Sequence, residues 1–137
     1  MKKFAGFLFI LALVACQKDP GTGGAGTISG KVNKEVRVVI TNPNTAQYTV
    51  PAANEDVFII YGDHTSPDDK IVTNYNGDFE FRNLRKGTYK IYVYSKDTTG
   101  VNPPVNDPNR MVVLSEAELQ DNSSSATLST MTIYDIP

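Results

Sequence analysis

The 137-residue chain has no tryptophan, one cysteine and one histidine. A single cysteine cannot form an intramolecular disulfide, and one histidine with one cysteine cannot supply a zinc set that needs several of them. The histidine, His64, lies in the polar stretch Gly62-Asp63-His64-Thr65-Ser66-Pro67-Asp68-Asp69, which leaves Ser-His and Cys-His nucleophile arrangements little to draw on. Basic runs are absent too, with 13 Lys and Arg against 15 Asp and Glu. Nucleic acid is therefore not an expected partner, because phosphate contacts need clustered cations. The longest apolar run, Phe4 to Val14, would reach about 16 Å as a helix, roughly half of a hydrocarbon core. It is too short to be a stable membrane span.

That run belongs to an ordered N-terminal pattern. Met1-Lys2-Lys3 supplies charge, Phe4 to Val14 supplies the apolar stretch, and Ala15 with Cys16 follows. This is the layout of a secretory signal. Leu13-Val14-Ala15-Cys16 resembles the lipobox of bacterial lipoproteins. The resemblance implies cleavage after residue 15, a diacylglyceryl group on the Cys16 sulfur and an acyl chain such as palmitate on the new amino group. Two or more chains suffice for stable anchoring, whereas one gives only reversible binding. No other cofactor is expected. Loss of Lys2 and Lys3 takes the basic count from 13 to 11 against 15 acidic residues, a net charge of about -4.

Gln17 stands where an Asp would resemble an inner-membrane retention signal, so the expected location is the outer membrane, on its periplasmic or surface side. Gln17-Lys18-Asp19 is partly similar to the export tag of surface lipoproteins in Bacteroidota, with Pro20 where a second acidic residue would stand. Pro20-Gly21-Thr22-Gly23-Gly24-Ala25-Gly26 holds four glycines and reads as flexible. The expected organisation is a signal peptide over 1–15, a lipidated tether over 16–26 and one domain over 27–137. A flexible tether of that length would put about 16 to 19 Å between lipid and domain.

From Thr27 onward, short runs of β-branched and aromatic residues alternate with Asn, Asp, Gly and Pro, which predicts an all-β domain. Strands are expected at Thr27 to Asn33, Glu35 to Thr41, Gln47 to Val50, Asp56 to Tyr61, Lys70 to Tyr75, Asp78 to Arg82, Gly87 to Ser95, Arg110 to Leu114 and Ala126 to Tyr134. Such a number in about 110 residues suits a two-sheet sandwich. Alternation points Phe79 and Phe81 one way, and Tyr89, Ile91 and Val93 inward along the next strand. Val57-Phe58-Ile59-Ile60-Tyr61 is apolar on both faces, as in a central strand. Asn76-Gly77 predicts a tight two-residue hairpin, and Ser115 followed by Glu118 predicts a short helical turn through Leu119.

Gly30-Lys31-Val32, Thr73-Asn74-Tyr75-Asn76-Gly77-Asp78-Phe79-Glu80-Phe81 and Leu84-Arg85-Lys86-Gly87-Thr88-Tyr89-Lys90-Ile91 together resemble the carboxypeptidase regulatory-like family. The resemblance implies a transthyretin-like, or prealbumin-like, β-sandwich without catalytic residues of its own. The longer interval between Val32 and Val57 predicts an inserted hairpin from Glu35 to Val50. Related adhesin domains join a Lys to an Asn or Asp by an isopeptide bond. Here Lys31 and Asp135 would be the partners, but Val93 stands where the catalytic Glu would be.

Two groups of side chains are candidates for binding. Tyr92 and Tyr94 fall on the outward face of their strand, with Tyr61 and Tyr75 as possible neighbours, and tyrosine suits sugar or protein recognition. Cross-strand packing, or cover by Asn102-Pro103-Pro104-Val105-Asn106-Asp107-Pro108, is the other reading. Asp63, Asp68 and Asp69 are candidate oxygen ligands for Ca²⁺, against a solvated acidic turn. The expected function is a non-catalytic, lipid-anchored binding or assembly module of the cell envelope with a protein or glycan partner. A structural pilus or adhesin subunit is the alternative, and a small hydrolase the third.

Overall fold

The computed structural model describes residues 19–37, 47–96 and 110–135. All regular structure in them is β: β1 (Thr22–Arg37), β2 (Gln47–Pro51), β3 (Asp56–Tyr61), β4 (Asp69–Val72), β5 (Asp78–Leu84), β6 (Gly87–Lys96), β7 (Arg110–Leu119), β8 (Ser125–Thr127) and β9 (Met131–Asp135). The long β1 is the hub of one sheet. Its first half pairs with β5 antiparallel and β8 parallel, its second half with β2 antiparallel and β9 parallel. The other sheet has the order β4-β3-β6-β7, antiparallel throughout. The domain is an all-β two-sheet sandwich.

Alternation produces the core. Ile28 and Val32 of β1, Val57 and Ile59 of β3, Phe79 and Phe81 of β5, and Tyr89, Ile91 and Val93 of β6 are all buried between the sheets. Each such side chain contributes about 1.5 to 3 kcal/mol by leaving water. The central position expected for 57–61 is observed, with β3 between β4 and β6. Pairing of Glu35 with Thr49 and Arg37 with Gln47 likewise forms the inserted hairpin.

Several expectations are corrected. The glycine-rich segment is not a tether: Thr22 to Gly26 begins β1, and Ala25 N–H donates to the Asn122 carbonyl at 2.6 Å. Glycine is required here for close approach, since a Cβ on Gly26 would stand 2.8 Å from Leu119 Cδ1 and 2.9 Å from the Leu84 carbonyl oxygen. The folded unit therefore starts by Asp19 rather than at Thr27. Thr27 to Asn33 and Glu35 to Arg37 are one continuous strand, and residues 38–41 of the second expected strand lie outside the described residues. Ala126 to Tyr134 is two strands, β8 and β9.

Ser115 to Leu119 is not helical. It completes β7, paired residue by residue with β6 as far as Leu119 opposite Gly87. A ten-residue β6 offers backbone partners along its whole length, and these outweigh a weak local capping signal. Asn74 to Asp78 is not a two-residue hairpin, because β4 and β5 belong to different sheets. Only Gly77 has positive φ there, at 77°, and the Asn74 side-chain oxygen accepts from the N–H groups of Asn76 and Asp78 at 2.9 Å. The turn is closed by this side chain and passes the chain from sheet to sheet. Lys31 lies 3.6 Å from Asp78, while Asp135 pairs with Lys96, so the pair considered for an isopeptide is not brought together.

Candidate functional site

Strand direction gives the sandwich two poles. β3 runs from Asp56 to Tyr61 and β6 runs back from Gly87 to Lys96, in register from Tyr61 opposite Tyr89 to Val57 opposite Val93. At the pole where β3 starts and β6 ends, a groove of about 380 Å³ opens between the sheets. Phe58 and Tyr94 form its aromatic wall. Asn54, Glu55 and Asp56 border it from the β2–β3 connection, and Ser95, Lys96, Tyr134 and Asp135 from the ends of β6 and β9.

Local chemistry builds each side. Asn54 takes φ of 58°, a left-handed conformation that Asn tolerates, and so turns the chain toward β3. The buried Thr73 hydroxyl donates to the Ala52 carbonyl at 2.5 Å and accepts from Glu55 N–H at 2.9 Å, which fixes that connection. On the opposite side, the buried Ser95 hydroxyl accepts from Tyr134 N–H at 2.8 Å and donates to the Lys96 carbonyl at 3.0 Å. This bond joins one sheet to the other at the base of the groove.

The charges are paired. Lys34 meets Glu55 at 2.5 Å, Lys96 meets Asp135 at 2.5 Å and Lys70 meets Asp56 at 3.1 Å. The Lys96 ammonium hydrogen-bonded to Asp135 holds that carboxyl below its ordinary value, against a smaller opposing effect of burial. Each of the three carboxylates therefore offers acceptor oxygens beside a lysine donor. This is an arrangement for hydrogen bonding to a polar ligand across an apolar ring face.

The aromatic wall extends over the outward face of the second sheet. Phe58 stacks on Tyr92 with centroids 5.0 Å apart and planes at 13°, and Tyr94 meets the edges of both rings at 5.5 Å. Lys70 Nζ stands 5.8 Å from the Phe58 centroid. Tyr92 is only 7% exposed, so it backs the platform, whereas Tyr94 is 39% exposed and offers its surface. Burial, and then the neighbouring Tyr94 hydroxyl, push the Tyr92 phenol above its ordinary range.

The structure divides the four tyrosines. Tyr92 and Tyr94 are together, as alternation predicts. Tyr61 is not their neighbour: it faces the core side and packs edge-on against Tyr89 at 5.7 Å, at the other pole. Tyr75 is 89% exposed in the turn after β4 and does not line the groove. Phe58 was not singled out from sequence, although its outward place between Val57 and Ile59 signals it. The polar border was illegible, since Asn54, Lys96 and Asp135 are far apart in the chain. The proline-rich 102–108 segment lies outside the described residues.

The acidic loop sits at the Tyr61 pole. Asp68 accepts from Tyr61 N–H at 2.7 Å through one oxygen and meets His64 Nδ1 at 2.7 Å through the other, while Asp69 accepts from Lys70 N–H at 2.7 Å. Desolvation raises the Asp68 pKa, but the Tyr61 N–H and His64 outweigh it and hold it below the ordinary value. Both Asp68 oxygens are occupied within the loop, and among the described residues no three acidic, His or Cys side chains converge on a metal position. Asp63, Asp68 and Asp69 are not assembled as a ligand set. Cys16 lies outside the described residues.

No protein-family model matches the chain, and no curated protein matches it. Among solved structures it is similar to a proposed carbohydrate-binding protein of Pseudomonas aeruginosa, with a TM-score of 0.50 and 15% identity over 82% of this chain and 90% of that one. At this identity the likeness bears on the fold alone.

Proposed function

We propose that the protein is a non-catalytic binding module of the cell envelope, acylated on Cys16 at the outer membrane, whose polar groove takes a glycan. The observation that carries the glycan reading is the Phe58–Tyr94 wall beside paired Lys and carboxylate groups, which match the apolar ring face and the hydroxyl rim of a sugar. The carbohydrate-binding description of the Pseudomonas aeruginosa neighbour accords with it. The lipid anchor draws on the Leu13-Val14-Ala15-Cys16 sequence. Titration of the protein with oligosaccharides from the native host's envelope tests the glycan reading. Tyr94→Ala should weaken binding by about tenfold while the domain stays folded, read as a cooperative urea transition with unchanged slope.

The structural-subunit reading draws on a different feature. β7 pairs only with β6 among the described strands, and Met111, Val112 and Leu114 on it are exposed. Such an edge accepts a further strand. Concentration-dependent polymerisation would favour that reading over a monomeric binding module.

A further inference from the structure

The start of the fold is fastened at one pole. Gly21 N–H donates to the Tyr89 hydroxyl at 3.0 Å, Arg85 N–H donates to the Gly21 carbonyl at 2.8 Å, and Arg85 Nε donates to the Asp19 carbonyl at 2.8 Å. Pro20 lies against Gly87, so closely that a Cβ there would collide with its ring. Lys86 N–H donates to the Asn122 side-chain oxygen at 2.8 Å, which joins the 121–124 turn to the same pole. Only Gln17 and Lys18 then separate Cys16 from the first fastened residue. Three Cα steps reach at most about 11 Å.

The groove is at the other end. β6 leaves the fastened pole at Gly87 and enters the groove at Tyr94, Ser95 and Lys96, so its ten residues put about 30 Å between the two. β1 runs the same way, from Thr22 to Lys34. A short link at one pole and a binding groove at the opposite pole define an orientation.

We propose that the pole formed by Asp19, Arg85, Lys86 and the 121–124 turn is the membrane-facing surface, and that the groove is presented away from the membrane. Its ligand is then a glycan polymer standing off the surface, not the sugar headgroups of the membrane that anchors the protein. The proposal rests on the acyl anchor at Cys16 and deepens the glycan reading.

The test uses the full-length protein purified from its host's membranes and reconstituted in phosphatidylethanolamine and phosphatidylglycerol vesicles containing a headgroup-nitroxide lipid. Lys86→Cys marks the proposed membrane pole and Thr49→Cys, opposite Glu35 on β2, marks the far one. Neither position lines the groove. A bimane on position 86 should be quenched several-fold more than one on position 49, and inserting a Gly-Ser linker between Lys18 and Asp19 should bring the ratio toward one. Equal quenching, or stronger quenching at position 49, overturns the orientation, and a ratio unaffected by the linker overturns the short link as its cause. Intact mass separates the two levels: without acyl chains on Cys16 the anchor fails and the proposal with it, whereas with them present the quenching decides the orientation alone.

Discussion

The Tyr89 hydroxyl accepts the Gly21 N–H at 3.0 Å and donates to the Arg85 carbonyl at 2.6 Å, so one buried phenol ties the first residues of the fold to the β5–β6 turn. Tyr89→Phe keeps the ring and leaves both backbone groups unpartnered. It should cost about 1 to 3 kcal/mol, read as a lowered urea midpoint with unchanged slope, and should speed hydrogen exchange at Gly21. Wild-type stability would show that the bond fastens nothing.

Gly26 tests whether the glycine-rich segment is structure or linker. Gly26→Val places methyl groups against Leu119 and the Leu84 carbonyl and should destabilise the domain by about 1 to 3 kcal/mol, as overpacking does. In a free linker the same change would be neutral. Equilibrium unfolding distinguishes the two.

Stability should decline at both ends of the pH scale. Burial raises the phenol pKa of Tyr61, Tyr89 and Tyr92, so the fold keeps protons that the unfolded chain gives up from about pH 10. Stability present below that pH is lost as pH rises past it. Asp135 is lowered chiefly by its bond from Lys96, and Asp68 is lowered although burial opposes it. Their contribution is present above about pH 4, the unfolded value, and is lost as pH falls through the lower folded values. Urea midpoints across pH 2 to 11 should therefore trace a plateau with two falling arms, and Lys96→Met should shrink the acid arm.

The exposed edge of β7 gives a prediction on assembly. If the protein works as a binding module, sedimentation should report a monomer for the unacylated domain across the micromolar range, and Val112→Lys should change nothing. Growth of oligomers with concentration, abolished by Val112→Lys, would move the account to the structural-subunit reading.

Much of the fold was legible because alternation is local. Phe79 with Phe81, and Tyr89 with Ile91 and Val93, declare their faces within a few residues, and all five are buried as expected. What failed depended on distant partners. Glycines 21 to 26 read as flexible because composition does not reveal that Leu84, Leu119 and Asn122 will lie against them. Ser115 to Leu119 looked helical because its cap is local, whereas the β6 backbone that claims it is 24 or more residues away in the chain. The site shows the same division: Tyr92 and Tyr94 were visible as an outward pair, but Phe58 and the Asn54, Lys96 and Asp135 border needed the sheet registers to bring them together.

The most direct test of the account is amide chemical-shift mapping of the protein during titration with oligosaccharides from its host's envelope. Saturable shifts confined to Asp56, Phe58, Tyr94, Ser95 and Tyr134, and lost in Tyr94→Ala, are the predicted result. Absence of shifts at millimolar ligand, or a saturable response only at the Tyr61 pole, would contradict it.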